Sequence, residues 1–184
     1  ADVIPSNPSV LHHGTVLHLD GATASRRGDP EGPAWQQDFL TTFVPGMTDG
    51  DVFPEESGRL LQPGDELRFT LHYVTTGKRE RDTTRIGLYV ADKPPSSVYR
   101  VRAVAQQELT LRPGEAEQVS VATWRPGSAV RLFRVFPHMH LRGSRFTMSV
   151  ELPDGTSTTL LHIPRYDFAW QRWYTFAAPV DLPR

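Results

Sequence analysis

Not one cysteine occurs in the 184 residues. That absence removes disulfides, thiolate nucleophiles and cysteine-bound zinc or iron–sulfur centres together, so any metal must be held by nitrogen, oxygen or thioether donors. It leaves the redox compartment open. Long apolar runs are missing too. No stretch approaches the ~18 residues that span a bilayer, and Ala1-Asp2-Val3 opens without the charged and apolar regions of a secretion signal. These features predict a soluble chain, mature or trimmed, with no membrane partner. Charge of one sign is likewise not in excess. The 20 Lys+Arg nearly balance the 21 Asp+Glu, for a formal net charge of -1, so no global field favours nucleic acid. Arginines outnumber lysines, but they are scattered singly as solvated surface residues and form no patch.

Helical periodicity with good caps is absent as well, and what remains is strand and turn. Strands are predicted over 10–19, 35–44, 59–61, 66–75, 84–91, 99–105, 117–124, 129–140, 145–152, 156–163 and 172–177. Between them lie turn-rich connections: 21–33, which is polar and rich in Gly and Pro, 49–58, and Pro63-Gly64-Asp65. Further turns are Arg112-Pro113-Gly114, Arg125-Pro126-Gly127, 141–144 and the hairpin turn Pro153-Asp154-Gly155. Short strands punctuated in this way argue for antiparallel sandwiches or jelly rolls and against a parallel α/β sheet. In Lys93-Pro94-Pro95-Ser96-Ser97 the consecutive prolines prevent helix or ladder continuation. A boundary there divides the chain into 1–94 and 95–184, each near the ~90 residues at which a core is hard to sustain alone.

Seven histidines are present, and five fall in patterns suited to metal ligation. His12-His13 are adjacent in a predicted strand. Neighbours in a regular strand point to opposite faces, so the pair can reach one ion only if the backbone is bulged, and Gly14 beside it marks a kink or bulge. In the next strong strand Leu67, Phe69 and Leu71 alternate with Arg68, Thr70 and His72. His72 is thus expected outside the core that the apolar set fills, facing a cleft. His138-x-His140 in a strand puts both imidazoles on one face with Cβ atoms ~7 Å apart, while Met139 points the other way. The plainer alternative is two polar residues on an exposed face. His18 is expected at the surface and His162 as an ordinary polar histidine. Tyr166, Asp167, Phe168 and Trp170 are expected in core and turn, with Tyr166 or Gln171 as candidates to orient a ligating imidazole.

In this order, His12-His13, 71–78 (LHYVTTGK), 84–91, 136–143 (FPHMHLRG) and 166–171 (YDFAWQ) resemble the type II copper, ascorbate-dependent monooxygenases. That family includes peptidylglycine α-hydroxylating and dopamine β-monooxygenases, and the likeness is greatest to bacterial members. The resemblance covers nearly the whole chain. It implies two consecutive antiparallel, jelly-roll-like β-sandwich domains, each with a copper. His12, His13 and His72 would hold the first copper, which takes electrons from ascorbate. His138 and His140 would supply two ligands of the second, the catalytic copper, where oxygen is activated and a substrate C–H bond attacked. The partners implied are a small organic substrate, O2 and a one-electron donor, in a secreted or periplasmic location.

The chain also departs from the family pattern. The family's methionine ligand lies well downstream of its His-x-His, in a segment that this chain, ending at Pro183-Arg184, is not expected to reach. The strands preceding the early histidine pair are also expected to be missing, so the resemblance implies truncation at both ends. Met47, Met139 and Met148 are the only thioethers. Without one of them the second site lacks the soft ligand that favours Cu(I), and weak copper binding with little turnover is expected. Phe136 occupies the position of the arginine that holds the peptide carboxylate in the animal enzymes, so a neutral or apolar substrate is expected. A non-catalytic copper-binding β-sandwich is the alternative. A cupin-type dioxygenase is disfavoured, because Ser144 stands where its carboxylate would be.

Overall fold

In a computed structural model of the chain, residues 1–21, 38–44, 53–106 and 108–184 are described. The fold is all-β, assembled from small sheets that are antiparallel apart from one short pair. Contacts divide the chain into two compact units that part between Trp124 and Arg125, whereas the prolines at 94 and 95 predict an earlier boundary. The residues after those prolines still pair with the first unit. Ser97–Val98 lies parallel to Ser57–Gly58, and Arg102 bridges Asp38.

The first unit is built on strand β2 (Leu11–Leu19), which lies between β3 (Asp38–Phe43) and β5 (Glu66–Tyr73) in a three-stranded sheet. Being central, β2 is covered more completely than its neighbours. Leu11, Val16, Leu17 and Leu19 are buried, joined by Val10 and Leu40. Val16 and Leu17 are consecutive and both buried. The register against β3 slips between them, so strict alternation is lost there. β1 (Asp2–Ile4), which no sequence pattern marked, pairs with β6 (Arg85–Gly87), and β4 (Ser57–Gly58) pairs with β7 (Ser97–Val98). Several expectations fail here. The Leu67-Phe69-Leu71 set does not fill a core, since Phe69 is 50% exposed on an edge strand. Nor do 59–61 and 117–124 form strands, and 84–91 shortens to β6.

Among the described residues the second unit holds a hairpin and one longer-range antiparallel pair. β9 (Phe146–Glu151) and β10 (Ser157–Ile163) join through the expected turn, where Gly155 has φ +82° and Asp154 accepts the Thr156 N–H at 2.9 Å. β8 (Val130–Val135) pairs with β11 (Tyr174–Leu182), with a register shift between Thr175 and Val180. That shift spans Pro179, which has no N–H to donate. Arg134 is buried with its guanidinium 4.1 Å over the Trp173 ring, and the Phe136 ring lies 5.2 Å from the same ring. The predicted loop 21–33 beyond Gly21, residues 35–37, the break at Pro45-Gly46, Met47 and 49–52 lie outside the described residues.

Candidate functional site

Strand register assembles the first histidine cluster. Leu11 pairs with Tyr73 and His13 with His72, so His12 is the extra residue of a bulge between β2 and β5. The expected departure from pleating therefore falls on His12 itself. Gly14, where the sequence placed it, pairs regularly with Leu71 and Phe43 and serves instead for close approach. A Cβ there would stand 3.0 Å from Leu71 Cδ2. Through the bulge three rings meet: His12 and His13 at 4.9 Å between centroids, His13 and His72 at 4.1 Å. His12 and His72 are exposed and His13 half-buried. His72 is exposed, but the Leu67-Phe69-Leu71 set from which its parity is counted fills no core.

Asp82 braces this end of the sheet. Its carboxylate accepts from Ser6 Oγ (3.0 Å), the Asn7 N–H (2.9 Å), Tyr73 Oη (2.9 Å) and Thr84 Oγ1 (2.6 Å). These bonds, that of Thr84 foremost, favour the charged form and hold the carboxyl down to about 2.

The second cluster is built differently. β8 stops at Val135, so His138 and His140 lie beyond the strand in which they were expected. Pro137 explains the early stop, because it offers no N–H to a ladder. Side chains replace the missing neighbour. Gln171 Nε2 donates to the Phe168 carbonyl at 2.9 Å, which turns its Oε1 toward His138 Nδ1 at 2.7 Å. An oxygen can only accept, so this bond calls for the proton on Nδ1, which in a neutral ring leaves the lone pair on Nε2. The Tyr166 hydroxyl accepts from the Met139 N–H at 2.9 Å and donates to the Met139 carbonyl at 2.8 Å. The His138 and His140 rings stand 5.1 Å apart, both exposed, with Met139 half-buried between them.

Met139 packs against the following turn. Gly143 N–H donates to the His140 carbonyl at 2.8 Å, and a Cβ on Gly143 would lie 2.7 Å from Met139 Cβ and 3.1 Å from its Cε. Met148, on β9, pairs with Leu161. Trp170, expected in core or turn, is 64% exposed.

Imidazoles that share one ion at metal–nitrogen distances of ~2 Å place their ring centroids about 5 Å apart. The spacings of 4.9 Å and 5.1 Å match this, and 4.1 Å is somewhat tighter. Among the described residues no three His, Asp or Glu side chains stand as a formed metal centre. The rings meet edge to face, so rotations about the side-chain torsions would be needed to aim the nitrogens at one point.

His18 is not the surface residue expected. It is half-buried, with Nε2 2.7 Å from Asp65 and Nδ1 3.3 Å from Asp38, and Arg59 is paired with Asp38 in turn. The carboxylates approach opposite ring nitrogens, so the arrangement is a chain of polar contacts that ties β2 to its neighbours and not a chelate. A cavity of about 280 Å³ lined within 109–120 includes no histidine. Comparison with protein-family models, with curated proteins and with solved structures returned no match for this chain.

Proposed function

We propose that this is a copper-binding protein of the type II, ascorbate-dependent monooxygenase kind, hydroxylating a C–H bond of a small organic substrate with O2 and a one-electron donor. The observation that carries the reading is the bulge at His12, which brings three imidazoles from two strands together with no cysteine or carboxylate among them. An all-nitrogen set of this kind suits a metal that exchanges electrons between two oxidation states. His12, His13 and His72 would hold one copper; His138 and His140 would hold the other. Bound copper supplies one-electron exchange with the donor and with O2. The protein's part at the second pair is to present His138 Nε2, through the Gln171 bond, and to fix the Met139 backbone that links the two histidines. Two jelly-roll-like sandwich domains and an extracytoplasmic location belong to the same proposal.

Phe136 packs on Trp173 and offers no charge beside the pair, which supports a neutral or apolar substrate. Tight, salt-weakened binding of a glycine-extended peptide with a free carboxylate would contradict that.

One observation favours a second reading, copper binding without turnover. The Met139 side chain packs on the Gly143 turn, which leaves the histidine pair without that thioether. Anaerobic Cu(I) titration followed by ascorbate-dependent O2 uptake tests both. Two copper ions per chain with uptake support the enzyme, and two without uptake support the second reading. His72→Ala should bind one copper fewer with the circular dichroism unchanged; full stoichiometry in that variant would sink the first site.

A further inference from the structure

We propose that Tyr166 is a positioning residue for the His138–His140 pair, holding the two imidazoles at ligand spacing through the backbone of Met139. The inference rests on the reading of the pair as a metal site. In a strand, a neighbouring backbone would fix the N–H and C=O of the residue between two ligands. Here β8 has ended and one phenol does both, accepting from the Met139 N–H and donating to the Met139 C=O.

The clamp is itself held. Tyr166 N–H donates to the Ser144 carbonyl at 2.8 Å, and the Gly143 turn closes on Met139 from the chain's other direction. Burial pushes the phenol's ionisation up, so the proton that the clamp donates stays in place at neutral pH. Both hydrogen-bonding roles of the hydroxyl toward Met139 are lost in phenylalanine, while the ring and its packing are kept.

The test compares Tyr166→Phe with the parent chain, both in a His72→Ala background that depletes the first site. In the metal-free proteins, the Met139 amide should exchange with solvent at least about ten-fold faster in the variant. The amides of the β9–β10 hairpin should be unchanged. With Cu(II), competition titration should show affinity at the pair falling roughly 10–100-fold. The electron paramagnetic resonance splitting should change from two equivalent nitrogens to fewer. Placing 3-fluorotyrosine at 166, which keeps the hydroxyl, should restore the exchange rate, affinity and splitting, and also serves if the phenylalanine variant folds poorly. Unchanged affinity and splitting in Tyr166→Phe, or no rescue by fluorotyrosine, would overturn the inference. A parent chain that binds no copper at His138 and His140 would instead sink the reading of the pair as a metal site, and the positioning role with it.

Discussion

The two histidine clusters reach similar ring spacings by opposite means. His12, His13 and His72 are set by a backbone ladder, so one bulge in an antiparallel pair aligns all three. His138 and His140 lie past the end of a ladder, and a tyrosine and a glutamine hold them. The contrast teaches where each site is vulnerable. The first should fail when the sheet fails, and the second should fail when a few polar bonds or one close approach is lost while the sheets survive.

The largest effect expected is therefore on the first region. Leu11 immediately precedes the bulge, is 1% exposed and sits in the central strand. Leu11→Ala removes packing that the neighbourhood cannot refill, at a cost of ~2–5 kcal/mol. Denaturant unfolding should report that loss, and imidazole NMR signals should show the His12, His13 and His72 environments changing. The His138 signals and their dependence on Gln171 should be untouched. If both clusters respond equally, the contrast between them is broken.

A smaller and opposite effect is expected from Gly143→Ala. The new Cβ would fall 2.7 Å from Met139 Cβ, closer than atoms tolerate, and the obstacle is the root of a side chain and not its flexible tip. Relief requires a shift of the 140–143 turn or of Met139, costing ~1–3 kcal/mol as overpacking does. The His138 and His140 rings should separate, copper affinity at that pair should drop, and His12, His13 and His72 should keep theirs. Retention of both affinities would show that the turn is looser than its packing indicates.

How much of this was legible beforehand follows from the same contrast. β-forming composition and turn signals placed β2, β5, β9 and β10 closely, and the demand for a bulge beside His12-His13 came from strand parity together with Gly14. Where the period-two pattern is clearest, in 67–72, the strand forms but its apolar set stays partly exposed. The His-x-His strand ends early because Pro137 offers no N–H to the ladder, a stop that the apolar pattern of 129–136 does not mark. His18 could not be placed, since its partners, Asp38 at the start of β3 and Asp65 in the turn before β5, are brought to its two nitrogens only by the folded sheet. Asp65 follows Pro63-Gly64, and its bond to the Gln62 N–H is ordinary turn chemistry; its reach to His18 is not written locally. Val119 and Val121, expected in a strand, stand 86% and 65% exposed, and the structure offers no physical account of them.

The smallest effect expected concerns acid, and it sharpens the contrast from the side of the first cluster. Asp82 titrates near 2 in the folded chain against 3.8 for a free carboxyl, chiefly through the Thr84 hydroxyl and then the Asn7 N–H and the Tyr73 and Ser6 hydroxyls. A depressed folded pKa means that the unfolded chain binds the proton more readily. The contribution is therefore complete above about pH 4 and is lost as pH falls from there through about 2. Solvent screens this carboxylate, so its contribution should stay below ~1 kcal/mol. Asp82→Asn should flatten the fall in stability between pH 4 and 2, measured by denaturant unfolding at several pH values. Because Asp82 bonds Tyr73, the residue next to His72, the His72 NMR signal should shift with that same acid transition in the parent chain and lose it in Asp82→Asn. A His72 signal indifferent to Asp82 would show that the bulge holds its cluster without this brace.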